Sequence, residues 1–154
     1  MPQPLRFKYS LNSALLGILM PLVFGAITWN NLLASYHYHL ILGILIIVTC
    51  DLIFLSYLVF AFTKRLMPAL QNKIALELNE QGITDYIRNI VIEWSYVQDL
   101  THEYGRNSSK IIVKLNAETE YGTEVVIRLR WVKGKDRKIF EAVYNYFREA
   151  NRLT

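Results

Sequence analysis

The sequence predicts a membrane α-helical hairpin followed by an α+β domain, in which an antiparallel sheet of five to six strands is capped by a C-terminal amphipathic helix. Three observations carry this prediction. From Tyr9 to Thr63 the chain has no Lys, Arg or Glu, and Asp51 is its only Asp. From Pro68 the apolar residues alternate with period 2, which is typical of strands. After Gly134 the apolar period becomes helical.

Two apolar runs fill the uncharged region. They are Ser13–Leu33 and Leu40–Phe62, which are 21 and 23 residues long. Since about 20 helical residues cross a hydrocarbon core of about 30 Å, each run predicts one transmembrane helix. The lipid bilayer is therefore the first partner that the sequence indicates.

Basic residues flank the hairpin at both ends, whereas the connecting loop 34–39 has none. By the positive-inside rule both termini are cytoplasmic and the loop faces outward. The flanking residues are Arg6, Lys8, Lys64 and Arg65. The predicted division of the chain is a cytoplasmic leader at 1–12, the transmembrane hairpin at 13–63, a juxtamembrane linker at 64–72 and a cytoplasmic β domain at 73–154.

Gly17, Pro21 and Gly25 form a stripe without bulky side chains along the first predicted helix. Such a stripe lets another helix approach closely, and Pro21 bends the helix and removes one N–H from its hydrogen-bond ladder. Two interpretations stay open. The stripe contacts the other helix of the hairpin, or it contacts a second copy of the chain in a homo-oligomer.

Asp51 lies in the middle of the second run, where inserting a charged side chain costs roughly 2.5–3.5 kcal/mol. Antiparallel pairing of the two helices places it level with about residue 22, where the neighbouring side chains are apolar. Three solutions remain: a protonated acid bonded to backbone between helices, a cluster of Asp51 side chains from several copies, and water in a pore. A ring of carboxyl groups in a pore favours cations.

Alternation predicts six strand segments after the hairpin. They are Ile74–Leu78, Ile83–Asp85, Asn89–Trp94, Val97–Tyr104, Lys110–Leu115 and Glu124–Val132. We expect positive φ at Gly82 in the first turn, and we expect Val125, Ile127, Leu129 and Trp131 on one face of the last strand.

One amphipathic helix is predicted over about residues 135–151. Its apolar stripe consists of Ile139, Val143, Tyr146, Phe147 and Ala150. Covering the apolar face of an antiparallel sheet with such a helix is the α+β arrangement.

The sequence contains no catalytic motif: it has no phosphate-binding glycine loop, nucleophile elbow or HExxH. We therefore predict no catalytic residues, no cofactor and no metal. Cys50 is the single cysteine, which excludes a disulfide within the chain. His37 and His39 supply only two ligands, too few for a metal site. His102 is expected at the surface.

The charge balance argues against a nucleic-acid duplex as partner. The net charge of the chain is +4, and four positive charges flank the hairpin. From residue 66 onward the chain has 13 basic and 12 acidic residues, so the β domain lacks the basic excess of a nucleic-acid-binding domain.

A candidate ligand site is a basic patch on neighbouring strands. Lys110 and Lys114 share one strand face, and Arg128 and Arg130 share a face of the next strand. Two such pairs in a hairpin converge and suit phosphate groups, so we predict an anionic, nucleotide-like ligand here. Two alternatives remain: a solvated face balanced by glutamates, and contact with the anionic inner leaflet.

Three short segments of the soluble part carry a resemblance to known proteins: PAL at 68–70, IALELNEQGITD at 74–85 and IEWSYV at 92–97. With them the soluble part resembles that of bacterial membrane proteins with a two-helix hairpin and a PH-like domain. The resemblance implies a curled sheet under a C-terminal helix and a location in the bacterial inner membrane. By architecture the chain also resembles the two-helix-plus-β-domain effectors of nucleotide-signalling anti-phage systems, whose β domain binds a nucleotide and whose hairpins damage the membrane.

Two functional hypotheses follow. In the first, the chain is a non-enzymatic, homo-oligomeric membrane effector or channel that is controlled by an anionic ligand of the β domain. In the second, it is a passive membrane-tethered adaptor or immunity protein that docks a protein partner. Asp51 distinguishes them, because only the first hypothesis gives it a role beyond stability.

Overall fold

The structure, a computed structural model, describes residues 4–35, 40–105 and 109–153, of which residues 24, 31–35, 40–44, 47 and 153 are described by their backbone only. His37 and His39 lie outside the described residues. The chain divides into two compact units. One unit is Leu11–Gln71. The other holds the chain up to Ser10 together with the chain from Asn72 onward.

The first unit consists of helices α1 (Leu11–Ser35) and α2 (Leu40–Ala61). Helix α2 continues through a π-helical turn, Phe62–Leu66, into the short helix α3, Met67–Leu70. The segment predicted as a linker is therefore largely helical. Pro68 does not end the helix, because it lies in the first turn of α3, where its missing N–H costs least.

Two helical stretches of this unit are long and apolar enough to cross a membrane, Leu11–Asn30 and Val48–Leu70. Their large apolar side chains point outward: Met20 is 68 % exposed and Ile53 is 66 % exposed. Among the described side chains of the unit, those that are buried are the alanines Ala14, Ala61 and Ala69. The described side chains that the hairpin buries are thus small, and its large apolar side chains are exposed.

The second unit contains seven antiparallel strands in two sheets, counted over the described residues. The first sheet has the order β1-β2-β3-β4 and the second the order β5-β6-β7. The strands are β1 (Leu5–Lys8), β2 (Ile74–Leu78), β3 (Gly82–Asp85), β4 (Ile90–Glu93), β5 (Val97–Tyr104), β6 (Ser109–Thr119) and β7 (Gly122–Arg128). The expectation of one sheet with five to six strands is wrong, because it omits β1 and because a 3₁₀ turn at Trp94–Tyr96 divides the strands between two sheets.

Strand β1 lies before the hairpin, in the segment predicted as a leader. Leu5 and Phe7 lie opposite Leu78 and Leu76 of β2, and Phe7 packs against the core. Leu5, Arg6, Phe7 and Lys8 alternate between apolar and basic residues, which is a strand signal that the prediction of a leader missed; the pairing with β2 reveals the strand. The apolar hairpin is therefore inserted between two neighbouring strands of one sheet.

The last predicted strand is shorter than expected. Strand β7 ends at Arg128, and Leu129–Trp131 form a 3₁₀ turn. The turn rotates the chain, so Val132 is buried in the core while Trp131 is only half-buried. Val132 then pairs with Tyr9 in an isolated antiparallel bridge.

Gly82 is required for a different reason from the one expected. The described glycines with positive φ are Gly122 and Gly134, so the expectation for Gly82 is wrong. A Cβ at Gly82 would overlap the carbonyl group of Ile92 on β4. Asn79 shapes the turn, because its Oδ1 accepts the backbone N–H groups of Gln81 and Gly82.

Helix α4 (Asp136–Leu153) confirms the predicted C-terminal helix. Its residues Ile139 and Val143 are fully buried against both sheets' core. The remaining buried core residues come from all the strands after the hairpin and from the turns that follow β4 and β7. They are Ala75, Leu76, Leu78, Ile83, Ile90, Ile92, Trp94, Val97, Leu100, Ile111, Val113, Leu115, Val125, Ile127, Leu129 and Val132.

Candidate functional site

The predicted basic patch is only partly assembled on the second sheet. Lys110 of β6 lies directly opposite Arg128 of β7. Lys110 Nζ, however, forms a 2.9 Å ion pair with Oε2 of Glu103 on β5. The two cations therefore share their strand position with an acid, which lowers the local positive potential.

Lys114 lies between two acids. Its register partner on β5 is Asp99, and its register partner on β7 is Glu124. At this level the charges across the three strands are therefore negative, positive and negative. Opposite charges on facing strands stabilise a sheet, so the charge of Lys114 is compensated by its two neighbours.

Arg130 is separated from the other three predicted ligand residues. It lies in the 3₁₀ turn after β7, and its Cζ is 5.1 Å from the centre of the Trp131 ring. The period-2 pattern placed it on the face of Arg128, but the turn ends the alternation at Leu129. The structure therefore brings Lys110 and Arg128 together, places Lys114 further along the same face, and removes Arg130 from it.

The small-residue stripe of α1 faces α2 of the same chain at two points. Pro21 has no N–H to donate to the carbonyl of Gly17, four residues earlier. The hydroxyl of Tyr57 on α2 donates to that oxygen at 3.1 Å. A Cβ at Gly25 would lie 3.0 Å from Cζ of Phe54 on α2, so the side chain of Phe54 occupies the space that Gly25 leaves.

These contacts favour the first of the two interpretations of the stripe, namely a contact inside the hairpin. The role of Tyr57 was missed from the sequence. The signal was a phenol in an apolar helix, facing a carbonyl group that a proline had left without its donor.

Asp51 is exposed on the surface of the single hairpin. Among the residues that the structure describes, no side chain forms a hydrogen bond or an ion pair with it. Phe54, one turn later on the same helix, packs against α1 instead. A carboxyl group on an apolar surface without a partner is unfavourable when that surface meets lipid. Among the described residues the structure thus identifies no side-chain partner for Asp51, and neither did the sequence.

His102 departs from the surface position that we expected. It is half-buried, and its ring stacks on Phe140 of α4 with 4.8 Å between centroids. Tyr104 lies 4.0 Å from it, also between centroids. Its Nε2 is buried without a hydrogen-bond partner among the described residues. Glu103 points to the opposite face and pairs with Lys110, as strand alternation requires.

A polar network on the first sheet was also missed. Glu77 of β2 is 9 % exposed. Its Oε1 accepts a 3.0 Å hydrogen bond from Nε of Arg6, and its Oε2 accepts a 2.9 Å bond from the hydroxyl of Tyr86. The bond to Glu77 raises the pKa of the Tyr86 hydroxyl. The network joins the segment before the hairpin to β2 and to the turn after β3, so only the folded sheet could reveal it.

Asp85 is the most buried acid of the described chain, at 3 % exposure. Its Oδ1 accepts the backbone N–H of Ile87 at 2.9 Å. Burial raises the pKa of this carboxyl group, and the N–H groups of Ile87 and Arg88 and the Arg88 guanidinium partly offset the rise. These contacts shape the turn after β3, which is a structural role.

No group of three or more metal-ligating side chains occurs within the described ranges. The chain matches no protein-family model, no curated protein and no solved structure. The function of the chain is therefore inferred from its own residues.

Proposed function

We propose that this chain is a non-enzymatic integral membrane protein that acts as a homo-oligomeric effector or channel, with its hairpins associating at Asp51. The observation that carries the proposal is the exposed carboxyl group of Asp51, which lacks a side-chain partner among the described residues. Copies around a symmetry axis give each carboxyl group a neighbouring carboxyl group or water. Sharing a proton or lining a wet path lowers the cost of an acid at this depth.

The insertion of the hairpin between β1 and β2 supports two membrane crossings. Both ends of the hairpin join the same folded unit. A folded unit lies on one side of a membrane, so the number of crossings between its two parts is even. The same fact argues against a cleaved signal sequence, since cleavage after α1 would remove β1 from its sheet. The basic residues that flank the hairpin favour a cytoplasmic location for the folded unit, and we propose that the membrane is the bacterial inner membrane.

The PH-like part of the proposal rests on the strand arrangement. Four antiparallel strands, then three, then one C-terminal helix are the elements of a seven-strand PH-like domain. In this chain the membrane hairpin is the connection between the first two strands. This arrangement supports a domain that transmits binding events to the hairpin through β1 and β2.

For control of the assembly we propose an anionic, nucleotide-like ligand at Lys110 and Arg128. These cations lie directly opposite each other across β6 and β7. Like charges in facing positions destabilise a sheet. Glu103 compensates Lys110 in the structure, and an anionic ligand would replace Glu103 at Lys110 and bind Arg128 as well. Such a ligand acts only through a difference in affinity between two states of the assembly.

Mass measurement of the full-length chain in detergent tests the oligomer. We expect wild type to run as a ring of several copies and Asp51→Leu to run as smaller species. Ser56→Ala is the matched control, because Ser56 bonds to the carbonyl of Leu52 in its own helix, and it should leave the mass unchanged. A wild-type monomer or dimer would contradict the proposal.

Membrane depolarisation tests the effector activity separately. Cells with a voltage-sensitive dye should depolarise when wild type is expressed with candidate nucleotides, and Asp51→Ala should abolish the response. If wild type forms rings and never depolarises the membrane, the oligomer remains and the channel is excluded.

The second candidate is a passive membrane-tethered adaptor or immunity protein. The alternating charges of Asp99, Lys114 and Glu124 favour it, because a mixed face suits a protein partner better than a small anion. It predicts that Asp51→Asn changes neither mass nor function.

A further inference from the structure

One end of the β domain brings three distant chain segments together through backbone hydrogen bonds. The N–H of Tyr9 donates to the carbonyl of Lys73 at 3.1 Å. The N–H of Lys133 donates to the carbonyl of Lys8 at 2.8 Å, and the N–H of Ser10 donates to the carbonyl of Trp131 at 2.8 Å. The segment before α1, the segment before β2 and the segment after β7 therefore meet at one end of the domain.

Each of these segments contributes exposed cations. Lys8, Lys73, Arg130 and Lys133 are all exposed, and we call these four residues the basal cluster. Burial raises the pKa of the Tyr9 hydroxyl, and the negative charge of Asp85 adds to the rise, so Asp85 is one acid near this end. Its carboxyl group is buried and is bonded to backbone N–H groups, so it compensates the cluster poorly.

The covalent chain limits how far the basal cluster lies from the apolar helices. Lys8 precedes Leu11 by three residues, and Lys73 follows Leu70 by three residues. Three residues span at most about 10 Å, which is about one Debye length at physiological ionic strength. Charges at this distance still interact with an anionic membrane surface.

We propose that the basal cluster binds the phosphates of anionic lipid headgroups and so holds this end of the β domain at the membrane surface. The proposal rests on the membrane insertion put forward under the proposed function. Charge complementarity names the occupant: four exposed cations, close in sequence to two apolar helices, meet the negative surface of an anionic leaflet.

The cluster differs from the ordinary bias of basic residues beside membrane helices. Lys8 and Lys73 flank the hairpin in sequence, whereas Arg130 and Lys133 follow it by most of the soluble domain. Only the pairing of Lys8 with Lys133 brings the second pair to this place. The test therefore uses Arg130 and Lys133, whose contribution depends on the fold.

Competitive lipid binding to the full-length chain tests the proposal. The protein in neutral detergent is given phosphatidylglycerol and phosphatidylcholine with the same acyl chains, and native mass spectrometry measures the ratio of bound lipids. We expect Arg130→Gln with Lys133→Gln to lower the preference for phosphatidylglycerol by about fivefold per base, which corresponds to about 1 kcal/mol for each cation near an anionic surface. The matched control, Arg148→Gln with Arg152→Gln on α4, removes the same charge and should keep the wild-type preference.

Two results would overturn the proposal: equal effects of the two double variants, or an unchanged preference in the basal variant. Glycerol phosphate is added as a soluble competitor, and displacement of lipid at equal phosphate concentration would assign the cluster to a soluble ligand instead. The single variants Lys73→Gln and Lys133→Gln give smaller shifts in the same direction and guard against a folding defect. Extraction with carbonate tests insertion independently, so a chain that inserts without lipid preference refutes only this inference.

Discussion

The hairpin and the β domain differ in what they leave unsatisfied. In the β domain Glu77 binds Arg6 and Tyr86, and Nε1 of Trp94 donates to the carbonyl of Asn79 at 2.8 Å, whereas Nε2 of His102 is buried without a partner among the described residues. In the hairpin the large apolar side chains are exposed, and Asp51 lacks a side-chain partner among the described residues. The β domain thus buries its large apolar side chains in a core within one chain, while the hairpin leaves its own exposed.

The largest expected effect contrasts truncations in the two units. Ile127→Ala empties space in a fully packed core, since Ile127 is 1 % exposed, and should lower the free energy of unfolding by about 2–5 kcal/mol. Ile53→Ala, at 66 % exposure on α2, should change it by less than about 0.5 kcal/mol. Denaturant unfolding of the full chain in detergent, followed by tryptophan fluorescence, measures both. Equal losses would contradict the contrast.

The next effect concerns the polar network of the first sheet. Glu77→Ala leaves the Tyr86 hydroxyl and the Arg6 guanidinium without their acceptor, and should cost about 1–3 kcal/mol. Glu141→Ala is the control, because it breaks only the exposed pair with Arg137, worth below about 1 kcal/mol. The same unfolding measurement applies, and a loss at Glu77 no larger than at Glu141 would show that the network does not stabilise the sheet.

A smaller effect is expected inside the hairpin. Tyr57→Phe removes the hydroxyl that bonds to the Gly17 carbonyl, and should destabilise the helix pair by about 0.6 kcal/mol, a typical value for such bonds in membrane proteins. Ser56→Ala serves as control, since its hydroxyl bonds within its own helix. Titration with a denaturing detergent, followed by helical circular dichroism, compares them. Identical titrations would mean that the Gly17 carbonyl needs no donor from α2.

The smallest expected effect is a change in how the stability of the fold depends on pH. Because burial raises the pKa of Asp85 in the fold, its contribution to stability is fully present below the unfolded pKa and is lost as the pH rises through the folded pKa. Asp85→Asn keeps an acceptor for the N–H of Ile87 and removes the titration. Thermal unfolding between about pH 4 and about pH 7 should therefore show that the variant gains relative to wild type as the pH rises. A constant difference would contradict the raised pKa.

Much of the fold could be predicted from local patterns. The strands at Ile74–Leu78 and Val97–Tyr104 have the predicted bounds, and the C-terminal helix begins and ends within two residues of prediction. These elements carry their own periodicity, and burial of one face preserves it. Strand β1 also alternates, in Leu5, Arg6, Phe7 and Lys8, but it lies in the segment predicted as a leader, and its place in the sheet follows only from its pairing with β2.

The candidate site was less predictable than the fold. Strand alternation placed Lys110 and Lys114 on one strand face and Arg128 on a face of the next strand, whereas the register that sets Lys110 opposite Arg128 came from the structure. The removal of Arg130 and the neutralisation of Lys110 by Glu103 did not follow from alternation. A 3₁₀ turn breaks period 2 without a marked sequence signal, and cross-strand ion pairs depend on register, which alternation alone leaves undetermined.

The sequence by itself determined where the two apolar helices lie, that a sheet and a helix follow them, and that Asp51 has no polar neighbour in its own hairpin. Hydrophobic period and length are local properties, so one chain is enough to read them. Only the tertiary structure decided that the hairpin is inserted between β1 and β2, that Tyr57 supplies the donor lost at Pro21, and that Arg130 and Lys133 join Lys8 and Lys73. Each of these depends on residues far apart in sequence, which meet because strand pairing and core burial stabilise one register over the others.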